Sequence, residues 1–201
     1  MKKVFIINGG QTFGNSKGEF NKTMVDLAAT YFAEEKGYEV KVTDINQAYN
    51  AAAETKKFIW ADIIVYHLPI WWFQVPHKLK EYFDYVFKNG QVYNNDGRSS
   101  KNPAINYGTG GLLKGRTYMV NTSWNAPNEA FTLPGEFFNE TSVDKGVLFG
   151  FHRMNAFLDM EPLPGIHFYD VVKNNNVEGE KVKYKAHLDA VFATKDKRIA
   201  L

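Results

Sequence analysis

No cysteine occurs in the 201 residues. That absence excludes structural disulfides, iron–sulfur ligation, thiolate zinc and thiol catalysis. Neither sign of charge dominates: 24 Lys and Arg stand against 22 Asp and Glu, a formal net charge of +2. A nucleic-acid binder concentrates a basic excess on one face, so nucleic acid is not an expected partner. Long apolar runs are missing too. The most apolar stretch, FIWADIIVYHLPIWWF, is broken by Asp62, His67 and Pro69, short of the roughly 20 apolar residues a membrane span needs. The start, MKKVFIINGG, is charged like a signal peptide, but its apolar run covers only Val4 to Ile7, too short for a signal's hydrophobic region. A cytoplasmic protein is the expectation. The histidines His67, His77, His152, His167 and His187 fall at no HxxxH or HxH spacing, and Asp and Glu are scattered. Neither a metal centre nor a paired-carboxylate hydrolase is expected.

What is present is the composition of a globular protein, 44% apolar and large enough for a core without staples. One domain over residues 1–201 is expected. Lys3–Asn8 (KVFIIN) and Asp62–His67 (DIIVYH) are short apolar runs of the kind buried in parallel sheets. Residues 116–122 (RTYMVNT) and 165–172 read as further strands, and Tyr38–Thr43 alternates like a more exposed one. Between them, apolar residues at Phe20, Met24, Leu27, Ala28, Tyr31 and Phe32 share one helical face, stopped at Gly37. Further helices are expected over 51–60, after Pro76, over about 145–158 and over 179–193. Strands alternating with helices imply a doubly wound parallel sheet of five strands with helices on both faces. Residues 90–112 and 125–142 read as two irregular insertions above it, and long irregular loops are usually functional. The Phe137–Phe138 pair and the aromatics of 149–157 read as core.

In such a sheet ligands bind beyond the carboxyl ends of the strands, and three central loops leave there. The first, NGGQTFGNSKGEFN, spells G-x-x-x-x-G-N-S, but Asn15 stands where a P-loop has its lysine. It lacks G-x-G-x-x-G. It also matches the nucleophile elbow G-x-S-x-G, yet eight residues separate Ser16 from the strand end, where that motif needs a sharp strand-to-helix turn. The remaining choices are an ordinary helix cap at Asn15 or Ser16 and an anion site built from Ser16, Lys17, Gly18 and the first helical amides. The second loop, LPIWWFQVP, holds three aromatic rings between prolines. The third, Ser123-Trp124-Asn125-Ala126-Pro127, again puts a tryptophan after a central strand. Either aromatic loop alone can be packing. Facing each other beside an anion site, the two describe a slot for a flat, phosphate-bearing ligand, and a flavin nucleotide fits.

These segments, with DGRSSKNPAINYGTGGLLKGRTYMVNTSWNAPNEAF and FLDMEPLPGIHFYDV, resemble the flavodoxin-like NAD(P)H:quinone reductases over residues 3–192. The resemblance implies a flavodoxin-like sheet of order 2-1-3-4-5, bound FAD, NADPH (or NADH) as donor, quinones as acceptors and a homodimer. It assigns the phosphate-contacting stretch to Ser16, Lys17, Gly18, Glu19, Phe20, Asn21, Lys22 and Thr23. Pro69, Ile70, Trp71 and Trp72 would lie against the flavin ring, Tyr107 at the cofactor site, and Ser123, Trp124, Asn125 and Ala126 on its pyrimidine side. Two positions depart from the family: Ser123 begins a motif that starts with Thr in relatives, and Ile70 replaces a glycine of some relatives and narrows the slot. The implied cycle is ping-pong, with no catalytic side chain of its own. The alternatives are an FMN-type electron carrier, against which the neutral charge and two insertions speak, a flavin azoreductase or drug reductase, and a serine hydrolase at Ser16.

Overall fold

The computed structural model describes residues 1–88, 91–173 and 176–193. Residue 90 of the first insertion and residues 194–201 of the expected domain lie outside them. Strand β1 (Lys3–Asn8) is buried on both sides and leads to helix α1 (Glu19–Thr30), which runs on as a π-helical turn over Tyr31–Glu35. Strand β2 (Glu39–Asp44), α2 (Ala51–Trp60), β3 (Ile63–Pro69), α3 (His77–Phe87) and β4 (Arg116–Ser123) follow. Asn50 caps α2 by accepting from the Ala53 amide at 3.0 Å. The sheet is parallel in the order β2-β1-β3-β4-β5, so the strand order reverses between β1 and β3.

Alternation along the strands divides the core. Phe5, Ile7, Ile64 and Tyr66 face α2 and α3, joining Phe58, Leu79 and Tyr82. Val4, Ile6, Ile63 and Val65 face α1 and the last helix, α6 (Val177–Phe192), joining Met24, Ala28, Tyr184 and Leu188. Each such side chain, fully buried, stabilises the fold by about 1.5–3 kcal/mol relative to exposure.

Four expectations change. The strand expected over 165–172 is reduced to β6 (His167–Phe168), and a short β5 (Met160–Pro162) was missed; both pair with β4. Pro162 and Pro164 cannot donate to a ladder, and Gly165 sits so close that a Cβ would strike the Val120 carbonyl. The edge therefore breaks in two. The helix expected from about 145 begins later, as α5 (Phe149–Phe157), because 143–148 form turns. The second insertion also contains a single helical turn, α4 (Glu129–Thr132). Phe137 and Phe149, expected in the core, are 73% and 62% exposed; among the described residues no helix or strand covers them.

Candidate active site

A row of polar residues crosses the sheet near its carboxyl end: Asp44, Asn8, His67 and Asn121 stand in register on β2, β1, β3 and β4. Below it the two central strands β1 and β3 are apolar, through Val4–Ile7 and Ile63–Tyr66. His67 is buried, with its Nε2 2.8 Å from the Tyr184 hydroxyl, and burial pushes its pKa down to about 3. It is therefore neutral at any physiological pH. Asn121 Nδ2 lies 3.3 Å from the same hydroxyl, which it reaches as a donor, and Asn121 Oδ1 accepts from the Ile166 amide at 3.1 Å. This row is the floor above which the three loops meet.

The first loop decides between cap and anion site. The N-cap of α1 is Gly18, at φ 71°, with no side-chain hydrogen bond. A Cβ there would strike the Gly10 carbonyl, so only glycine lets the loop fold back this tightly. Ser16 closes a small turn with Phe13, each amide donating to the other's carbonyl at 3.0 Å, and caps nothing. The helix thus begins without a side-chain cap, its positive end turned to the cleft with Lys17 beside it. Of the two readings of this loop, the cap at Asn15 or Ser16 is absent.

The second loop is shorter than the sequence implied. Leu68 and Pro69 are still strand, paired with Thr122 and Ser123, and the Ile70 amide donates to the Ser123 carbonyl at 3.0 Å. Then Trp71 and Gln74 exchange two backbone hydrogen bonds of 3.0 Å across a tight turn. Trp72 and Phe73, its central residues, lie at φ 48° and 62°, a left-handed geometry that costs about 1–2 kcal/mol per non-glycine residue. Strain of this kind persists where the surroundings impose it, often at ligand sites. The turn leaves Trp72 92% exposed, while Phe73 stacks on Phe137 at 5.4 Å.

The third loop is tied to the first through its side chains: Asn21 Nδ2, buried in the first turn of α1, donates to the Ser123 hydroxyl at 3.0 Å. Trp124 does not face the second loop as a free ring. It is buried, its indole N–H donates to the Thr122 hydroxyl at 2.7 Å, and its faces pack on Phe131 and Phe138. Its amide is engaged too, donating to the Phe168 carbonyl at 2.8 Å. The amides of Asn125 and Ala126, further along the loop, are engaged by no described backbone carbonyl.

Together the loops enclose a cleft of about 740 Å³ between the start of α1, Pro69–Trp71, Ser123 and Asn125. Ser16, Lys17, Gly18, Glu19, Phe20, Asn21 and Thr23 form one wall. A smaller hollow of about 330 Å³ adjoins it through Ile70, Trp71 and Asn125, and is bordered also by Trp72, Trp124 and Ala126. Two expected residues stand apart. Lys22 points away to Asp26, paired at 2.6 Å on the exposed side of α1. Tyr107 lies on the first insertion, against Phe157 at 5.8 Å and beneath Arg98, and borders neither hollow. Sequence reasoning missed Val171, Val172 and Val177, which close the cleft from the β6–α6 connection. Nothing in an isolated valine marks it as a site residue.

Behind Trp124 a hydrogen-bonded chain ties down the turns that follow the second insertion. The Thr122 hydroxyl meets His167 Nδ1 at 2.7 Å, and Asp144 accepts from His152 at 3.0 Å and from His167 at 3.4 Å. The Tyr118 hydroxyl meets the other ring nitrogen of His152 at 2.6 Å. His152, and after it His167, hold the Asp144 carboxyl well below the usual carboxylate range. The other two histidines are also partnered, His77 with Gln11 at 2.9 Å and His187 with the Pro164 carbonyl at 2.9 Å. Among the described residues no cluster could hold a metal ion, and no helix is long and apolar enough to cross a membrane.

The residues fit a flavin nucleotide: an uncapped helix start with a lysine for the phosphates, and an apolar bed continuous with it for the ring. Comparison with known proteins agrees. Residues 2–191 match the family described as flavodoxin-like fold. The chain is 43% identical over 192 residues to NADPH:quinone oxidoreductase MdaB of Haemophilus influenzae, covering 94% of this chain and 98% of that protein. It is 45% identical over 194 residues to an uncharacterized protein of Schizosaccharomyces pombe, covering 96% and 98%. Two solved structures share the fold: general stress protein 14 of Treponema denticola in complex with FMN (TM-score 0.65, 23% identity, covering 95% of this chain and 99% of that one), and NAD(P)H:quinone oxidoreductase of Methanothermobacter marburgensis (TM-score 0.63, 15% identity, 92% and 96%). A match of that extent, on a sheet that reverses its order where these loops leave it, means that the chain belongs to the flavodoxin-like family.

Proposed function

We propose that the protein is an NADPH:quinone oxidoreductase, with FAD as its cofactor and NADPH (or NADH) as donor. The observation that carries the reading is the single cleft in which the start of α1, Pro69–Trp71 and Ser123–Asn125 converge. The relative of 43% identity bears that activity in its name. A bound flavin would supply the redox chemistry, relaying the hydride equivalent of the nicotinamide to the quinone, with the hydroquinone's second proton drawn from solvent.

The chain's own residues bind and orient. The open end of α1 carries roughly half a positive elementary charge, which with Lys17 holds the phosphates. Pro69, Ile70 and Trp71 offer the flat apolar bed. The amides of Asn125 and Ala126 are placed to stabilise negative charge on the pyrimidine edge. Ile70, wider than the glycine of some relatives, fixes the height of the slot. One slot serves donor and acceptor in turn, so ping-pong kinetics are expected. Tyr107, held away from its own cleft, can serve a cofactor only in a second copy, in keeping with a homodimer. We assign the work to the cytoplasm, where NADPH is supplied.

The test is direct. The purified protein should be yellow, release FAD on denaturation, bleach on anaerobic addition of NADPH and recover its colour with menadione. A colourless protein that also fails to bind added FAD overturns the proposal; release of FMN corrects the cofactor alone.

A further inference from the structure

The hydrogen-bonded chain behind Trp124 ends on a ring that borders the site. Trp124 lines the smaller hollow with Ile70, Trp71 and Ala126. Phe131 and Phe138, which cover it, also line a groove of about 1150 Å³ between α3, α5 and the second insertion. Backbone bonds fix the path of the loop: the Trp124 amide donates to the Phe168 carbonyl, and the Val171 and Asp170 amides donate to the carbonyls of Trp124 and Ala126 at 3.0 and 3.1 Å. The rotation of the indole is left to its N–H, and that bond gives a direction to every hydrogen behind it. An indole N–H can only donate. The Thr122 hydroxyl therefore accepts from it and keeps one hydrogen to give, with His167 Nδ1 at 2.7 Å. His167 then carries its proton on Nε2, which faces Asp144 Oδ2 at 3.4 Å. The second arm repeats the pattern. His152 Nε2 donates to Asp144 Oδ1 at 3.0 Å, and its Nδ1 accepts from the Tyr118 hydroxyl at 2.6 Å. Each oxygen of Asp144 thus serves one histidine, and the two hold its carboxyl well below the usual range.

We propose that Asp144, acting through His167 and Thr122, is a positioning residue of the site: it sets the histidine tautomer that lets Thr122 hold the Trp124 indole, and with it the wall of the hollow and the Ser123–Ala126 loop. This rests on the flavin reading above. Thr122 and Trp124 are buried and Asp144 is half-exposed, so a solvent-facing carboxylate fixes a ring at the cleft. Asparagine in its place accepts from one histidine and turns its amide hydrogens on the other. The shorter contact, to His152, is the one it keeps. His167, so opposed, moves its proton to Nδ1, and the Thr122 hydroxyl then receives two donors and loses the acceptor it had.

Nitrogen NMR of the protein as purified, above the range in which free imidazole titrates, reads the tautomers directly. His152 and His167 are expected with the proton on Nε2. The Trp124 indole N–H is assigned among the four tryptophans by its loss in Trp124→Phe. In Asp144→Asn the His167 proton should move to Nδ1 and the Trp124 signal should shift, with that of Trp60 unmoved. Release of flavin on dilution, followed by its fluorescence, should speed up about five- to tenfold in Asp144→Asn and in Thr122→Val, the scale of one lost hydrogen bond, and stay within about twofold in Thr122→Ser, which keeps the hydroxyl. An Asp144→Asn protein that keeps the His167 proton on Nε2, or releases flavin at the original rate, overturns the proposal. So does a proton on His167 Nδ1 in the unaltered protein. A protein that takes up no flavin fails the flavin reading instead, and the tautomers and the indole signal still decide whether Asp144 positions Trp124.

Discussion

The two loops that leave β3 and β4 side by side both carry tryptophan, and they treat it in opposite ways. After β4, Trp124 is buried, its N–H bonded to Thr122 and its faces covered by Phe131 and Phe138. After β3, a turn with two left-handed aromatic residues leaves Trp72 in solvent and sets Trp71 along the cleft. One loop contributes its ring to the core. The other accepts backbone strain and forgoes burial to keep its rings available. An aromatic residue past the end of a strand is thus neither packing nor ligand bed by its type; the backbone angle of the turn decides which.

The comparison can be broken at several points. Trp124→Ala should have the largest effect, a loss of about 3–5 kcal/mol in denaturant unfolding, as for other buried aromatics. The floor shared by both loops should be acid-sensitive. His67 titrates near 6.5 in the unfolded chain and at about 3 in the fold. Between those values the unfolded chain binds the extra proton, so stability falls as pH is lowered through that window and is unaffected above it. Between pH 7 and pH 4.5 the loss should reach roughly 2–3 kcal/mol in urea titrations, and His67→Gln should remove most of that slope. Trp71→Ala should leave unfolding nearly unchanged but weaken flavin retention by about tenfold, the scale of one aromatic stacking contact; an equal loss of stability in Trp71→Ala and Trp124→Ala would erase the distinction. The smallest effect concerns strain. Trp72→Gly should be more stable than Trp72→Ala by about 1 kcal/mol, because only glycine adopts the left-handed angle without cost.

Much of the framework was legible along the chain. β1 and β3 are apolar runs bounded by polar or turn residues, and the faces of α1 and α3 repeat at helical spacing, because the core that selects them is continuous. β5 and β6 were not legible, being three and two residues long and separated by prolines, too short for any period to show. The loops that form the cleft were legible as a group, since glycine, proline and tryptophan beyond strand ends are unusual together. The orientation of single rings was not: Trp124 was expected to face the slot, and Phe137 and Phe149 the core. The Asp144, His152 and His167 cluster carries no sequence signature, because it joins the turns before α5, α5 itself and β6 through side chains alone.

By itself the sequence determined the alternation of strands and helices, the exclusion of thiol chemistry, and the three loops where a ligand would bind. These follow from local composition and periodicity, which act over a few residues. Only the tertiary structure decided that α1 starts without a cap, that Trp71 lines the cleft while Trp124 is buried beside the adjoining hollow, and that an aromatic groove opens beside it. Those facts depend on which surfaces distant segments cover. Phe13 to Ser16 must fold back on Gly10, Asn21 must reach Ser123, and Phe138 must close over Trp124 before any of them exists.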